Sequence, residues 1–176
     1  PMRKSIDLNP KDAEAYNNYG AILQELGKFK EAELSYKNAI TLEPNYIEAL
    51  NNLGTTLIHL KKFKKSIEIF TKVIFLKPDY ALSHYNLGIA FKSLGKFEDA
   101  EICFNKAVEL KPDYAEAYNN LGNAHKALEE YDQALKNYKK TIQLNPNNYE
   151  ALNNLGIELI SLNKLEDAEK VFINSK

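Results

Sequence analysis

Residues that could support catalysis or bind a metal ion are scarce in this chain of 176 residues, which has three histidines and one cysteine. His59, His84 and His125 fall on different helical faces, and no two of them have the spacing with which a helix presents two imidazoles to one metal ion. Cys103 stands beside Phe104, and no histidine near it in sequence could activate its thiol. We therefore predict no catalytic residue, no metal site and no cofactor, and we do not expect an enzyme.

Hydrogen bonding by side-chain amides is much better represented, because one asparagine recurs at a constant interval along the chain. Asparagine is a middling helix former with no intrinsic reason to recur in the middle of a helix. Its amide carries donors and an acceptor, so it can bond a peptide group in either sense without reading that residue's side chain. We call this set the asparagine column; it consists of Asn18, Asn52, Asn86, Asn120 and Asn154.

The positions that flank the asparagine column vary more from one interval to the next. A second set of amides precedes it at Asn17, Asn51, Asn119 and Asn153, and Tyr85 interrupts this set. Three residues after the column the chain carries Ala21, Thr55, Ile89, Asn123 and Ile157. Tyr85 and Ile89 would make an apolar midpoint that could receive a ligand side chain. Simple variation at an exposed surface also explains these two residues.

The elements that position these amides follow from the prolines and glycines. Five of the six prolines and five of the seven glycines recur at the same interval as the asparagine column, which indicates an array of structural repeats. They are Pro10, Pro44, Pro78, Pro112 and Pro146, with Gly20, Gly54, Gly88, Gly122 and Gly156. The interval predicts one array over residues 1–176: the end of a preceding repeat at 1–10, full repeats at 11–44, 45–78, 79–112 and 113–146, and a partial repeat at 147–176.

Each repeat is predicted to be a pair of helices. In the fourth repeat, apolar residues recur three or four apart from Tyr118 to Leu128 and again from Ala134 to Leu144. A turn such as 27–29 separates the two helices, and the proline ends the second because the residue before it is excluded from the helical conformation. The residues expected to cap first helices, each three residues before a glutamate, are Asn45, Asp113 and Asn147.

The order of residues in the fourth repeat resembles the tetratricopeptide repeat, whose signature, spread over roughly 34 residues, is a large aromatic, Leu-Gly, Tyr, Ala, an aromatic, Ala and Pro. The matching residues are Tyr118, Leu121, Gly122, His125, Tyr131, Ala134, Tyr138, Thr141 and Pro146. The resemblance covers essentially the whole chain and implies an all-α, right-handed superhelical solenoid of antiparallel helix pairs. In this family the side of the first helix opposite its buried stripe lines a concave groove, which is where the asparagine column would lie.

A groove lined by amides predicts a protein or an extended peptide as the partner. If successive first helices lie about 10 Å apart, an extended chain rising about 3.3 Å per residue passes roughly three residues per repeat. The column resembles the asparagine ladder in the repeat arm of O-linked N-acetylglucosamine transferases, which holds substrate polypeptides in this way. The alternative is that each asparagine bonds only to a neighbouring carbonyl or amide between repeats. The two roles can coexist.

Three functions are consistent with this pattern. The first is a protein-interaction scaffold that binds extended peptide segments in the asparagine-lined groove. The second is the substrate-recognition arm of a larger, glycosyltransferase-like enzyme whose catalytic domain lies outside this segment. The third is a structural module that self-associates end to end, because the last residues, 171–176, still carry an apolar stripe.

Composition and charge argue against several other partners. A net charge of −1 gives no attraction towards nucleic acid or an anionic membrane, and no apolar stretch is long enough to span a bilayer. The basic run at 61–65 falls in a turn between helices, where solvated lysines are the ordinary outcome. The lone cysteine agrees with a reducing, cytoplasmic compartment.

The glutamates at the start of the first helices allow two interpretations. Glu14, Glu48, Glu116 and Glu150 could give the groove an acidic edge that favours basic ligands, or they could serve only in helix capping. In either case the groove lacks the lysines and arginine with which related repeats grip a terminal carboxylate. Binding of such a carboxylate is therefore disfavoured.

Overall fold

The computed structural model describes residues 10–173, without the side chains of Lys170, Phe172 and Ile173. Over these residues the protein has ten α-helices and no strand, which confirms the predicted all-α fold class. The helices are α1 (Ala13–Glu25), α2 (Phe29–Leu42), α3 (Ile47–His59), α4 (Phe63–Leu76), α5 (Ala81–Lys92), α6 (Phe97–Leu110), α7 (Ala115–Ala127), α8 (Tyr131–Leu144), α9 (Tyr149–Ser161) and α10 (Leu165–Ile173). None of these helices is long and apolar enough to cross a membrane. The expected end of a preceding repeat at 1–10 lies, apart from Pro10, outside the described residues.

The chain divides into two compact units, Pro1–Leu94 and Gly95–Lys176. In the first unit each helix from α1 to α5 packs against the next, and the alternate helices α1, α3 and α5 are also neighbours. In the second unit successive helices from α6 to α10 pack in the same way. Each unit is thus a stack of helices in which first and second helices alternate.

The prolines end the second helix of each pair, as predicted. The helices α2, α4, α6 and α8 all stop at a leucine two residues before a proline. The intervening residue is extended, with φ −129° and ψ 90° at Glu43. The proline ring excludes the helical conformation from the residue before it, so the helix cannot continue. The equivalent residues are Lys77, Lys111 and Asn145.

The turn inside each helix pair also recurs once per repeat and contains one residue with a positive φ. These residues are Gly27 (71°), Lys61 (57°), Gly95 (72°), Glu129 (62°) and Asn163 (58°). After α1, the amide of Lys28 donates to the carbonyl of Leu23 at 2.8 Å, as in a Schellman closure. Glycine adopts this conformation freely, whereas a side chain there costs roughly 1 kcal/mol. The two turns that have glycine at this position are therefore unstrained, whereas the three turns that have another residue there are strained.

The predicted caps of the first helices are wrong at all three positions. Asn45 lies in the turn after the proline, and α3 begins after Tyr46, which provides no side-chain cap. Asp113 fails to cap α7 in the same way. At α9 the cap is Asn148 rather than Asn147, and its Oδ1 accepts a hydrogen bond from the amide three residues later at 2.9 Å. The turn that follows each proline takes up one residue more than the spacing suggested, and this shifts the helix start.

Glycines let the first helix of a pair approach an aromatic ring of the second. Three such pairs are Gly20 with Tyr36, Gly54 with Phe70, and Gly122 with Tyr138. A Cβ atom added at these glycines would lie only 2.6 to 2.7 Å from the ring. All three rings are essentially fully buried, so they have no space into which to move. A side chain at any of these glycines would force the two helices apart.

Apolar clusters join one helix pair to the next. In the first unit Tyr36 of α2 packs in one cluster with Leu53 and Leu57 of α3. In the second unit Tyr138 of α8 packs with Leu155 and Leu159 of α9. Because a single pair of short helices cannot bury its apolar face alone, the stability of each unit comes from this stacking.

Candidate functional site

The asparagine column lies on the first helix of each pair. In the first unit Asn18, Asn52 and Asn86 lie on the neighbouring helices α1, α3 and α5. In the second unit Asn120 lies on α7 and Asn154 on α9. Asn18, Asn52 and Asn154 are partly exposed, while Asn86 and Asn120 each retain 9% of their surface. The column therefore follows the edge of the packing between first helices.

The second set of amides is buried more deeply than the column. Asn17, Asn51 and Asn119 expose 5%, 6% and 3% of their surface, whereas Asn153 on α9 is exposed. Three of the four amides in this set thus lie inside the packing between helices.

Between α1 and α3 the two sets of amides bond to each other. The Nδ2 atom of Asn52 donates to Oδ1 of Asn17 at 3.0 Å. Further along the same two helices, Oε1 of Gln24 accepts hydrogen bonds from the hydroxyls of Thr56 at 2.8 Å and Tyr36 at 3.3 Å. Burial raises the pKa of Tyr36 to about 12, so its hydroxyl stays protonated and can donate. This contact is built entirely from neutral groups.

Between α3 and α5 a serine supplies the donor. The Ser83 hydroxyl donates to Oδ1 of Asn51 at 3.2 Å, and both residues are buried. On the same helix α5, Tyr85 and Ile89 are partly buried and lie one turn apart, beside Asn86 of the column.

Between α7 and α9 the equivalent amides bond differently. Here Nδ2 of Asn154 donates to Oδ1 of Asn123 at 3.0 Å, and the Tyr138 hydroxyl donates to the same oxygen at 2.9 Å. Burial raises the pKa of Tyr138 well above its usual range, so this hydroxyl also remains a donor. Asn119, the equivalent of Asn17, has a buried Oδ1 that accepts no hydrogen bond from any described residue.

A buried carboxylate also lies between α7 and α9. Glu158 exposes 2% of its side chain, and its Oε2 atom lies 2.9 Å from Nζ of Lys126, which is 41% exposed. The Ser161 hydroxyl contacts the other carboxylate oxygen at 3.2 Å. We did not predict this ion pair from the sequence, although a comparison of equivalent positions in the repeats indicates that Glu158 is unusual. The residues equivalent to Glu158 are Ile22, Thr56, Ala90 and Ala124, none of them charged.

Two of the histidines contribute to local packing. The ring of His59 stacks on that of Phe29, with centroids 4.5 Å apart. Nε2 of His84 lies 2.8 Å from the carbonyl oxygen of Pro78 and ties the start of α5 to the preceding turn. Both rings therefore have partners that explain their positions without any chemistry.

Cys103 is poorly suited to nucleophilic chemistry. It is buried on α6, and this burial, reinforced by the charge of Asp99, raises the pKa of its thiol to about 12. Because the thiolate is the reactive form, the side chain stays unreactive near neutral pH.

The basic run at 61–65 is tied into the first unit by one of its lysines. Nζ of Lys62 lies 2.6 Å from one oxygen of Glu33, and Lys37 lies 2.7 Å from the other. Burial alone would raise the pKa of Glu33, but the hydrogen bonds and charges of these two lysines outweigh it and lower the pKa. Lys62 thus links the start of α4 to α2.

Comparison with known proteins identifies the pattern of this chain. Family models described as tetratricopeptide repeat or TPR repeat match residues 2–33, 22–60, 47–80, 81–114, 115–148 and 137–170. No protein of curated function is a significant match to the sequence.

Solved structures resemble nearly the whole chain. The MamA protein is similar with a TM-score of 0.81 and 28% identity, covering 93% of this chain and 89% of that one. PilF of Pseudomonas aeruginosa is similar with a TM-score of 0.84 and 23% identity, over 96% and 76% of the two chains. YrrB, described as a TPR protein with an unusual peptide-binding site, is similar with a TM-score of 0.77 and 22% identity, over 99% and 90%.

Proposed function

Because this chain belongs to the tetratricopeptide repeat family, we propose that it is a non-catalytic protein-interaction scaffold whose first helices hold extended segments of partner proteins. The observation that carries the proposal is the asparagine column, which places one amide on each first helix, partly exposed at Asn18 and Asn52 and 9% exposed at Asn86. In the first unit three such helices are neighbours. We therefore develop the proposal for Asn18, Asn52 and Asn86.

The amides of Asn18, Asn52 and Asn86 keep most of their hydrogen-bonding capacity. A primary amide has two N–H donors and two acceptor lone pairs. One of the two N–H donors of Asn52 is used in the hydrogen bond to Asn17. In the part of the chain that the structure describes, the side chains of Asn18 and Asn86 make no hydrogen bond. The remaining donors and acceptors are free to bond a peptide backbone.

The spacing of the column suits an extended chain. Packed helices lie about 8–10 Å apart, and an extended peptide rises about 3.3 Å per residue. Three amides on α1, α3 and α5 would therefore span roughly nine residues of an extended backbone. They would contact about one residue in three. Such contacts hold a segment without selecting its side chains.

Selectivity would come from the residues beside the column. Tyr85 and Ile89 lie next to Asn86 on α5 and offer an apolar surface for one ligand side chain. YrrB, with a similar fold, is described as having a peptide-binding site, which supports this use of the fold. Each hydrogen bond contributes only about 0.5–1.5 kcal/mol net, so we expect affinity in the micromolar range.

A purely structural role for the column is the competing explanation. The bonds from Asn52 to Asn17 and from Asn154 to Asn123 show that the amides do link successive first helices. The same bonds also fix the orientation of the amide that faces a ligand, which reduces the entropy lost on binding. We therefore propose that the column serves both roles.

The test uses a peptide selected from a random 12-residue display library on the wild-type chain. Its affinity is measured by fluorescence polarisation for the wild type and for the Asn18→Ala/Asn52→Ala/Asn86→Ala variant. Loss of three hydrogen bonds predicts affinity at least ~10-fold weaker. Methylation of the peptide backbone nitrogens should weaken binding to the wild type as well.

The matched control removes the same number of amides away from the column, in Asn38→Ala/Asn105→Ala/Asn147→Ala. This control should bind the peptide as the wild type does. Equal affinity of the column variant and the wild type would refute peptide binding by the column. A column variant that loses much of its unfolding free energy would favour the purely structural role.

A further inference from the structure

We propose that Glu101, His125 and Glu130, all in the second unit, form a binding site for one divalent transition-metal ion such as Zn²⁺. One ligand atom from each residue lies within 4.8 Å of the other two. The proposal does not depend on peptide binding by the asparagine column.

Three separate elements bring these side chains together. Glu101 lies on α6, His125 on α7, and Glu130 in the turn just before α8. The His125 side chain is 8% exposed, and its Nδ1 atom lies 2.6 Å from Oε2 of Glu130. Asn105, one turn along α6, donates to Oε1 of Glu101 at 3.4 Å and helps to orient this carboxylate.

The donor set fits a first-row divalent ion. One imidazole nitrogen with two carboxylate oxygens is a set that Zn²⁺ accepts, and it leaves a coordination position open for water or another ligand. Donor atoms about 2 Å from a metal lie roughly 3.3 Å from one another. The two glutamates are not fully buried, so rotation of their long side chains can close the remaining distance.

The charges of the cluster also favour a cation. The two carboxylate ligands together bring a charge of −2, which one divalent ion neutralises. Metal ligands bind in their deprotonated form, so protons compete with the ion and binding should weaken as the pH falls. Lys136 and Lys140 line an adjoining cavity of about 360 Å³ that His125 also lines. Each of the three residues supplies one donor atom to the cluster, so we expect a single ion.

The experiment titrates Zn²⁺ alone into the full, tag-free chain by calorimetry and follows Co²⁺ binding by its visible absorption. We expect one equivalent to bind to the wild type. The variants His125→Tyr and Glu101→Gln should each bind Zn²⁺ at least ~10-fold more weakly. Tyrosine is the signature residue of the family at position 125, so this variant should fold, as circular dichroism will show.

The control variant His84→Tyr removes a histidine outside the cluster and should bind Zn²⁺ as the wild type does. Wild-type binding no tighter than that of His125→Tyr would overturn the site. Weakening by His125→Tyr without weakening by Glu101→Gln would overturn the three-residue assignment. A thiolate-to-cobalt charge-transfer band would place the ion at Cys103 and would also overturn it.

Discussion

The contact between α1 and α3 in the first unit and the contact between α7 and α9 in the second are three repeats apart in sequence, yet they use different bonds. In the first, Asn52 bonds to Asn17. In the second, Asn154 bonds to Asn123, and the buried oxygen of Asn119 accepts no hydrogen bond from the described residues. The asparagines are the same, so a neighbouring residue determines the partner.

A second difference lies one turn along the same helices. Gln24 accepts a hydrogen bond from Thr56 in the first unit, where Lys126 and Glu158 form an ion pair in the second. The glycine and aromatic contacts within the helix pairs are alike in both units. The apolar packing within helix pairs is thus the same in both units, and we call it the frame. The hydrogen bonds and ion pair between first helices, which we call the polar layer, differ between the units.

The largest effect should come from breaking the frame that the two units share. Gly54→Leu and Gly122→Leu would each force a side chain against a buried ring. Both should lose about 3 kcal/mol of unfolding free energy, although roughly 1 kcal/mol of helix propensity is regained. Urea unfolding followed by circular dichroism measures the loss, with the exposed Ala127→Leu as control. Unchanged stability in either variant would disprove close packing at that glycine.

Substitutions in the polar layers of the two units should lower the unfolding free energy by different amounts. Lys126→Ala leaves the buried carboxylate of Glu158 unpaired and should cost about 2 kcal/mol, a value reduced because Lys126 is partly solvated. Gln24→Ala removes only neutral hydrogen bonds and should cost about 1 kcal/mol. The double variant Lys126→Gln/Glu158→Thr introduces the neutral pair and should be close to the wild type in stability. A smaller loss of unfolding free energy in Lys126→Ala than in Gln24→Ala would contradict this ranking.

A smaller and more specific effect concerns the buried Asn119. Ser83 bonds to Asn51 in the first unit, and its equivalent near Asn119 is Ala151. Ala151→Ser should supply the missing donor and raise the unfolding free energy by about 1 kcal/mol, whereas Ser83→Ala should lower it by a similar amount. Thermal unfolding of both variants measures the two shifts. Shifts of the same sign would show that the hydroxyl is not the cause.

The smallest effect should come from the strained turns. Glu129 has a positive φ where its equivalent in the first unit is Gly27. Glu129→Gly should stabilise the chain by roughly 0.5–1 kcal/mol, and Gly27→Glu should destabilise it by as much. Chemical unfolding of the two reciprocal variants provides the measurement. A destabilised Glu129→Gly would mean that the glutamate makes a contact that outweighs the strain.

The frame could be predicted from the sequence because its signals are local. A proline excludes the helical conformation from the residue before it, so the ends of α2, α4, α6 and α8 could be placed from Pro44 and its equivalents. The predicted turns at 27–29 and its equivalents likewise follow from residues that are adjacent in sequence. The caps failed because the turn after each proline took one residue more than the pattern showed.

The bonds of the polar layer could not be predicted, because they depend on residues of a neighbouring helix. Asn52 and Asn154 occupy equivalent positions, yet one bonds to Asn17 and the other to Asn123. The cluster of Glu101, His125 and Glu130 likewise forms only when α6, α7 and the next turn pack together. The asparagine column itself was visible, whereas its partners required the folded chain.

The proposal that the column binds peptides is tested most directly by nuclear magnetic resonance on protein labelled with ¹⁵N at asparagine. Titration of the selected peptide should shift the side-chain amide signals of Asn18, Asn52 and Asn86. The amides of Asn105 and Asn147, which lie off the column, should stay where they are. Binding that leaves the three column amides unshifted while others move would contradict the account.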